Sequence, residues 1–188
     1  MAVESTMQQL GAPAPDFALR EVVDGSIVSL DDAKGEALVV AFLSKHCPYV
    51  QHIQDALAAV AREYLQRNVA FVGISSNDPG THPDDAPENL AVQKRDVGFG
   101  FPYLFDETQQ VALAYGAACT PDFFVYDADR KLAYRGRFDE TRPGQGQPTG
   151  NDLRAALDHI LAGKGAPQEQ VPSMGCGVKW RPENDPNA

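Results

Sequence analysis

The chain has 188 residues, of which 43% are hydrophobic and 22% charged, the balance of one globular domain rather than a disordered chain. Its net charge of −10 argues against a nucleic acid or an anionic membrane as partner. No apolar run is long enough to span a bilayer, and the first ten residues lack a basic and an apolar region of the kind found in signal peptides. We therefore expect a cytoplasmic protein.

The first part of the chain predicts a β-hairpin followed by a βαβ unit. Residues 16–20 and 26–30 read as strands around the turn residues Asp24 and Gly25. Residues 37–43 form a continuous, valine-rich apolar run, which is typical of a strand buried on both faces. Apolar residues then recur at helical spacing from Val50 to Arg67, and residues 69–74 form a second buried strand. The two buried strands should be parallel because a helix connects them.

The remainder alternates between the two kinds of element and ends in a segment rich in proline and glycine. The predicted elements are helices at 87–97, 107–115 and 151–161, and strands at 101–105, 123–126 and 132–137. The pattern indicates an α/β fold with a central mixed sheet, helices on both faces, an N-terminal hairpin extension and an irregular C-terminal tail. We divide the chain into a flexible N-terminus (1–11), one domain (12–163) and a tail (164–188), which Val178 and Trp180 could pin to the body.

Cys47 is the strongest candidate for chemistry among the three cysteines. It follows a buried strand and opens the long first helix, with Pro48 suited to the first helical position. The unpaired N–H groups and the dipole of a helix N-terminus favour a thiolate, which is the nucleophilic form of cysteine. We expect His46 and Lys45 to add positive charge and Ser44 to donate a hydrogen bond to the sulfur. The alternative interpretation is a small buried apolar residue.

Several motifs resemble the thioredoxin superfamily. The stretch Ser44-x-x-Cys47-Pro48 resembles the peroxidatic-cysteine motif of peroxiredoxins, and Cys119-Thr120-Pro121 resembles the segment whose cis-proline faces the active-site cysteine. His-Cys-Pro-Tyr-Val at 46–50 is similar to a peroxiredoxin-like group within the AhpC/TSA (redoxin) branch. The similarity extends over about residues 12–182 and includes the Gly-Cys-Gly-Val-Lys-Trp stretch at 175–180.

The resemblance implies a thioredoxin-like fold and a thiol oxidoreductase with antioxidant activity, which needs no cofactor and no metal. Cys47 would reduce a peroxide or a disulfide, with Thr120 and a cis Pro121 beside it. Val50 occupies the position of the second cysteine of a Cys-x-x-Cys motif, so a resolving thiol has to come from Cys119, from Cys176 or from outside the chain. The reductant would be a thioredoxin-like protein or a small thiol, and a homodimer is conceivable.

Other interpretations stay open at this stage. The protein could reduce protein disulfides through a single cysteine, or it could be a non-enzymatic redox sensor or a copper- or other metal-binding module on the same fold. Arg135 and Arg137 are weaker candidates for a place near the sulfur. Asp84, Asp85 and Glu88 are interpreted as a solvated loop cluster without a catalytic role.

Overall fold

A computed structural model describes residues 2–186 and shows a seven-stranded mixed sheet with helices on both faces. The strands are β1 (Ala2–Glu4), β2 (Ala18–Glu21), β3 (Ile27–Ser29), β4 (Ala37–Phe42), β5 (Val69–Ser75), β6 (Tyr103–Phe105), β7 (Cys119–Thr120), β8 (Asp122–Tyr126), β9 (Leu132–Gly136) and β10 (Met174–Gly177). The helices are α1 (Pro48–Leu65), α2 (Pro87–Val97), α3 (Gln110–Tyr115) and α4 (Asn151–Leu161). None of the described helices is both long and apolar enough to cross a membrane.

The main sheet has the strand order β3-β2-β6-β5-β4-β8-β9. β4 and β5 are parallel, as the βαβ pattern predicts, with Val39 opposite Phe71. β5 and β6 are also parallel, and the remaining neighbours are antiparallel, including the predicted hairpins β2–β3 and β8–β9. The predicted fold class, with its hairpin extension of a central mixed sheet, is confirmed.

The valine-rich strand β4 separates two cores. Val39 and Ala41 face α1, α2 and α4, whereas Leu38 and Val40 face α3 on the other side of the sheet. Since side chains alternate along a strand, an apolar residue at every position is what a strand covered on both faces requires. Because β4 is central and packed on both faces, its carboxyl end is held in place. Cys47 follows that end in the chain.

Both chain ends are more ordered than the sequence predicts. In place of a flexible N-terminus, residues 2–4 form β1, which pairs antiparallel with β10 in the predicted tail. β10 also pairs with β7, so these three strands make a second small sheet. Val178 is buried and Trp180 packs against the α3 side of the core, as predicted. The correction has a physical cause: β1 and β10 are only three and four residues long and do not alternate between buried and exposed positions, so neither gives the period-2 pattern of a strand. Residues 1, 187 and 188 of the predicted termini lie outside the described part.

Helix α3 is shorter than predicted. It begins at Gln110 instead of residue 107, because Gln109 has a φ of 63°, which a residue inside a right-handed helix does not adopt. Gln109 uses its amide to bind the C-terminal segment, donating to the carbonyl oxygen of Lys179 at 2.8 Å and accepting from the N–H of Arg181 at 2.8 Å. A contact with a remote segment therefore decides this boundary.

Candidate active site

Cys47 lies at the junction of the central strand and the long helix. It is the N-cap residue of α1, with Pro48 at the first helical position, as the sequence predicts. Its carbonyl oxygen accepts the first helical hydrogen bond from Gln51, at 3.0 Å. The side chain is fully buried, and the nearest unpaired helical N–H groups follow Pro48 because proline has none.

The segment before Pro121 lies against the sulfur. The Cys47 Sγ atom is 3.1 Å from the carbonyl oxygen of Thr120, to which the thiol donates. The Thr120–Pro121 peptide bond is cis, as the resemblance predicts. Thr120, the residue before Pro121, therefore contacts Cys47 although about seventy residues separate them in the chain. A local sequence pattern cannot show such a contact directly.

Ser44 does not have the predicted role. Its hydroxyl accepts a hydrogen bond from the Cys47 N–H at 3.3 Å and donates to Asp85 Oδ2 at 2.9 Å. Because the hydroxyl hydrogen points to the carboxylate, Ser44 does not donate to sulfur, which is a correction. Ser44 instead orients the backbone that carries Cys47.

Asp85 is the site residue that the sequence analysis missed. It is fully buried and not part of a solvated cluster, so that prediction is wrong. Its Oδ1 accepts from the Lys45 N–H at 2.6 Å, and its Oδ2 accepts from Asn77 Nδ2 at 2.7 Å and contacts His46 Nδ1 at 2.6 Å. With the Ser44 hydroxyl, these donors satisfy a carboxylate that burial would otherwise destabilise. No local pattern marks Asp85, because its partners Ser44, Lys45 and His46 lie about forty residues away in the chain.

The ring of His46 is held between Asp85 and a second imidazole. Its bond to Asp85 places the proton on Nδ1 when the ring is neutral. The His82 ring lies against it, with centroids 4.6 Å apart and the ring planes tilted by 31°. Burial, and then the charges of His46 and Lys179, lower the pKa of His82. His46, which was predicted to add positive charge next to Cys47, is thus bonded to the Asp85 carboxylate. Lys45 contributes its backbone N–H to the same carboxylate.

Cys176 is the thiol that the fold brings to Cys47. It lies on β10 directly opposite Thr120, whose carbonyl oxygen the Cys47 thiol contacts, and it packs against the core cluster that contains Cys47. Burial, followed by the hydrogen bond and the charge of Cys47, raises the pKa of Cys176 to about 12. Cys176 therefore keeps its proton at neutral pH.

Cys119 points elsewhere. Its sulfur is 3.7 Å from the carbonyl oxygen of Pro121 and is fully buried. Burial, and then the carboxylate of Asp122, raise its pKa far above that of a free cysteine. The contact observed for the Cys119 sulfur is therefore with the segment after Thr120 and not with Cys47.

The arginines of β9 and the loop after it have structural partners. Arg135 is fully buried, donates to Asp122 Oδ2 at 2.9 Å and lies over the ring of Phe124. Arg137 pairs with Asp152 of α4 at 2.5 Å. The structure shows neither guanidinium bonded to Cys47, in contrast to the weaker expectation from the sequence.

A cavity of about 120 Å³ adjoins the cis-proline turn. Its lining includes Tyr49, His52, Ile53, Pro121, Phe138 and Met174. His52 is engaged with the hydroxyl of Thr141 at 2.9 Å.

Among residues 2–186, no three histidine, cysteine or acidic side chains are grouped so that they could share a metal ion.

A mixed α/β sheet with a cysteine at the start of its first long helix, facing a cis-proline, defines the thioredoxin-fold thiol oxidoreductases. The sequence model of the AhpC/TSA family matches residues 10–135, and the chain belongs to that family.

Curated relatives include both peroxiredoxins and thiol-disulfide oxidoreductases. Peroxiredoxin-2 of Bos taurus is 31% identical over 153 residues, which cover 77% of this chain and 70% of the relative. Thiol-disulfide oxidoreductase ResA of Geobacillus thermodenitrificans is 24% identical over 69% of this chain and 70% of its own. Protein FixW of Rhizobium leguminosarum is 25% identical over 68% of this chain, which spans only 60% of FixW. These relatives agree with the family assignment, and they do not distinguish a peroxide from a disulfide as the substrate.

Solved structures agree with this assignment of the fold. An uncharacterized conserved protein from Geobacillus kaustophilus is 49% identical, with a TM-score of 0.94 and coverage of 97% of both chains. A thiol:disulfide interchange protein of Chlorobium tepidum superposes with a TM-score of 0.62 at 23% identity, covering 82% of this chain and 99% of its own. The second likeness concerns the fold alone.

Proposed function

We propose that this protein is a thiol oxidoreductase with two active cysteines, in which Cys47 reduces a peroxide or a disulfide and Cys176 resolves the product. One observation carries the proposal: Cys176 lies directly opposite Thr120, whose carbonyl oxygen contacts the Cys47 sulfur, although the chain separates the two cysteines widely. The position of Cys47 at a helix start supports its role as the attacking sulfur, because helical N–H groups favour a thiolate.

Each substrate leads to the same disulfide. With a hydroperoxide, the Cys47 thiolate attacks one oxygen, the O–O bond breaks, and the other oxygen leaves as water or an alcohol after taking a proton. The Cys176 sulfur then attacks the Cys47 sulfenic acid, and water leaves. With a disulfide, Cys47 forms a mixed disulfide and releases one thiol, and Cys176 displaces the second thiol. An external thiol must afterwards reduce the Cys47–Cys176 bond.

Cys176 is a better resolving residue than Cys119 for two reasons. It is half-buried and already opposite Thr120, whereas Cys119 is fully buried beside Asp122. A disulfide also requires Cα atoms within about 7 Å and side chains that point at each other. The register of β10 against β7 supports that geometry for Cys176.

The test is to map the disulfide after oxidation. We expect reduced protein treated with one equivalent of hydrogen peroxide to yield a peptide joining Cys47 to Cys176, identified by mass spectrometry without reduction. Cys119→Ser should form the same bond, while Cys176→Ser should stop at a Cys47 sulfenic acid that dimedone traps. A Cys47–Cys119 bond would overturn the role of Cys176, and unchanged reactivity in Cys47→Ser would overturn the role of Cys47.

A further inference from the structure

The strand edge next to Cys47 is occupied by the protein's own chain. β7 carries the Thr120 carbonyl that contacts the Cys47 sulfur, and β10 pairs with β7 along residues Cys176 and Gly177. An unpaired strand edge is a place where an extended peptide can add through main-chain hydrogen bonds. In a protein disulfide, each cysteine is flanked by polypeptide on both sides. When such a disulfide reaches Cys47, the flanking polypeptide would lie along this strand edge.

β10 approaches β7 as closely as two backbones can. A Cβ atom on Gly175 would lie 2.0 Å from the Thr120 carbonyl oxygen, a distance that no side chain tolerates. The strand is also fixed at both ends. Before it, the Ser173 hydroxyl donates to the Gly136 carbonyl oxygen at 2.7 Å, and after it, the Lys179 N–H donates to Asn77 Oδ1 at 2.8 Å. No second chain fits between β10 and β7.

The covering of the sulfur is less rigid at one point. Cys47 is fully buried, and Cys176, which packs against the cluster that contains Cys47, is itself partly exposed. A rotamer change of such a side chain takes picoseconds to nanoseconds and needs no backbone hydrogen bond to break. Release of β10, in contrast, breaks its pairing with β7 and with β1 together.

We propose that β10 stands in for a substrate strand and so restricts Cys47 to small oxidants, of the size of hydrogen peroxide or a short dialkyl disulfide, while excluding disulfides of proteins. This inference rests on the proposed function, since it concerns the access of substrates to the same sulfur. The redox steps are those given above for a hydroperoxide and a disulfide, with an external thiol as the reductant.

The experiment compares three oxidants on the wild-type protein and on two glycine variants. Rates of Cys47 oxidation are measured with hydrogen peroxide, with bis(2-hydroxyethyl) disulfide and with insulin, each divided by the rate of free glutathione with the same oxidant. Gly175→Ala should push β10 away from β7. Gly177→Ala is the matched control, because its new Cβ would meet only Val3 Cγ2, at 3.2 Å, on an exposed edge strand.

We expect the wild type to react with both small oxidants and to leave insulin at the background rate. In Gly175→Ala the insulin rate should rise roughly tenfold or more, since access no longer waits for β10 to open, and Gly177→Ala should match the wild type. Hydrogen exchange of the β10 amides confirms that the strand is released.

Two results would overturn the inference. One is a wild-type protein that reduces insulin as readily as the small disulfide, a result that stands even if Gly175→Ala fails to fold. The other is an unchanged insulin rate in Gly175→Ala with β10 demonstrably released. Reaction of the wild type with none of the three oxidants would contradict the proposed function itself, so the two failures are distinguishable.

Discussion

The two thiols of the site differ in what surrounds them. Cys47 caps a helix and faces a carbonyl oxygen at 3.1 Å, and Cys176 lies on a strand between two others. Burial and the neighbouring Cys47 both favour the neutral form of Cys176. In the proposed reaction, a protonated Cys176 suits the first step, because Cys47 is then the sulfur that attacks the substrate. The second step needs Cys176 to ionise, which oxidation of Cys47 eases by removing the neighbouring charge.

The pH dependence of Cys176 labelling tests this difference. In Cys119→Ser protein, alkylation of Cys176 by iodoacetamide should increase only well above pH 9, because its pKa is raised to about 12. In Cys47→Ala/Cys119→Ser protein the midpoint should fall, since the hydrogen bond and charge of Cys47 are gone and burial alone remains. Mass spectrometry of the labelled peptide gives both curves. Coinciding midpoints would show that Cys47 does not affect Cys176.

At the scale of elements, the site is built where three segments meet. The loop after β4 supplies residues 44–46, the 3-10 turn Pro83–Asp85 supplies the buried carboxylate, and β10 supplies the covering strand. Asp85 is the link between the first two, because each of its oxygens accepts hydrogen bonds from the loop that precedes Cys47. The loop conformation therefore depends on an element outside the βαβ unit.

Asp85→Asn tests this junction. Both oxygens of Asp85 accept hydrogen bonds, so an amide nitrogen in either orientation faces a donor. We expect unfolding in urea to show a loss of about 3–5 kcal/mol, as for other broken buried pairs. Asp84→Asn, at the exposed neighbouring position, should stay within about 0.5 kcal/mol of the wild type. Equal stabilities of the two variants would show that the buried carboxylate does not hold the loop.

For the whole molecule, the small sheet closes the chain on itself. β1 and β10 bring both ends of the sequence to β7 beside Cys47, and Trp180 packs on the far core. A bond between Cys47 and Cys176 would therefore enclose most of the chain in one covalent loop. Long loops lose the most conformational entropy in the unfolded state when they are closed.

Oxidation should accordingly raise the thermal stability. A loop of about 130 residues corresponds to a stabilisation of up to roughly 5 kcal/mol in the chain-entropy account. For a protein of this size, that corresponds to an increase in Tm on the order of 10 °C. Calorimetry of the peroxide-treated and reduced proteins measures it, and treated Cys176→Ser is the control without a disulfide. If peptide mapping confirms the Cys47–Cys176 disulfide and the Tm is nevertheless unchanged, this expectation is wrong.

Local patterns in the amino-acid sequence were enough to predict part of the fold. Apolar runs and helical spacing predicted β4, α1 and β5, and the helices at 87–97 and 151–161 have the predicted bounds. Cys47 as the residue that opens α1 followed from its place between a buried strand and Pro48. These features arise from interactions between near neighbours in the chain, which leave a periodic or positional signal.

The contacts between remote residues around Cys47 became visible only in the folded chain. Asp85 looked like a solvated loop residue, both Cys119 and Cys176 were candidates for a resolving thiol, and residues 2–4 gave no strand signal. Each of these outcomes depends on partners about forty or more positions away. A buried carboxylate, a strand in a three-stranded sheet and a pair of thiols are stable through contacts that exist only once the chain has folded.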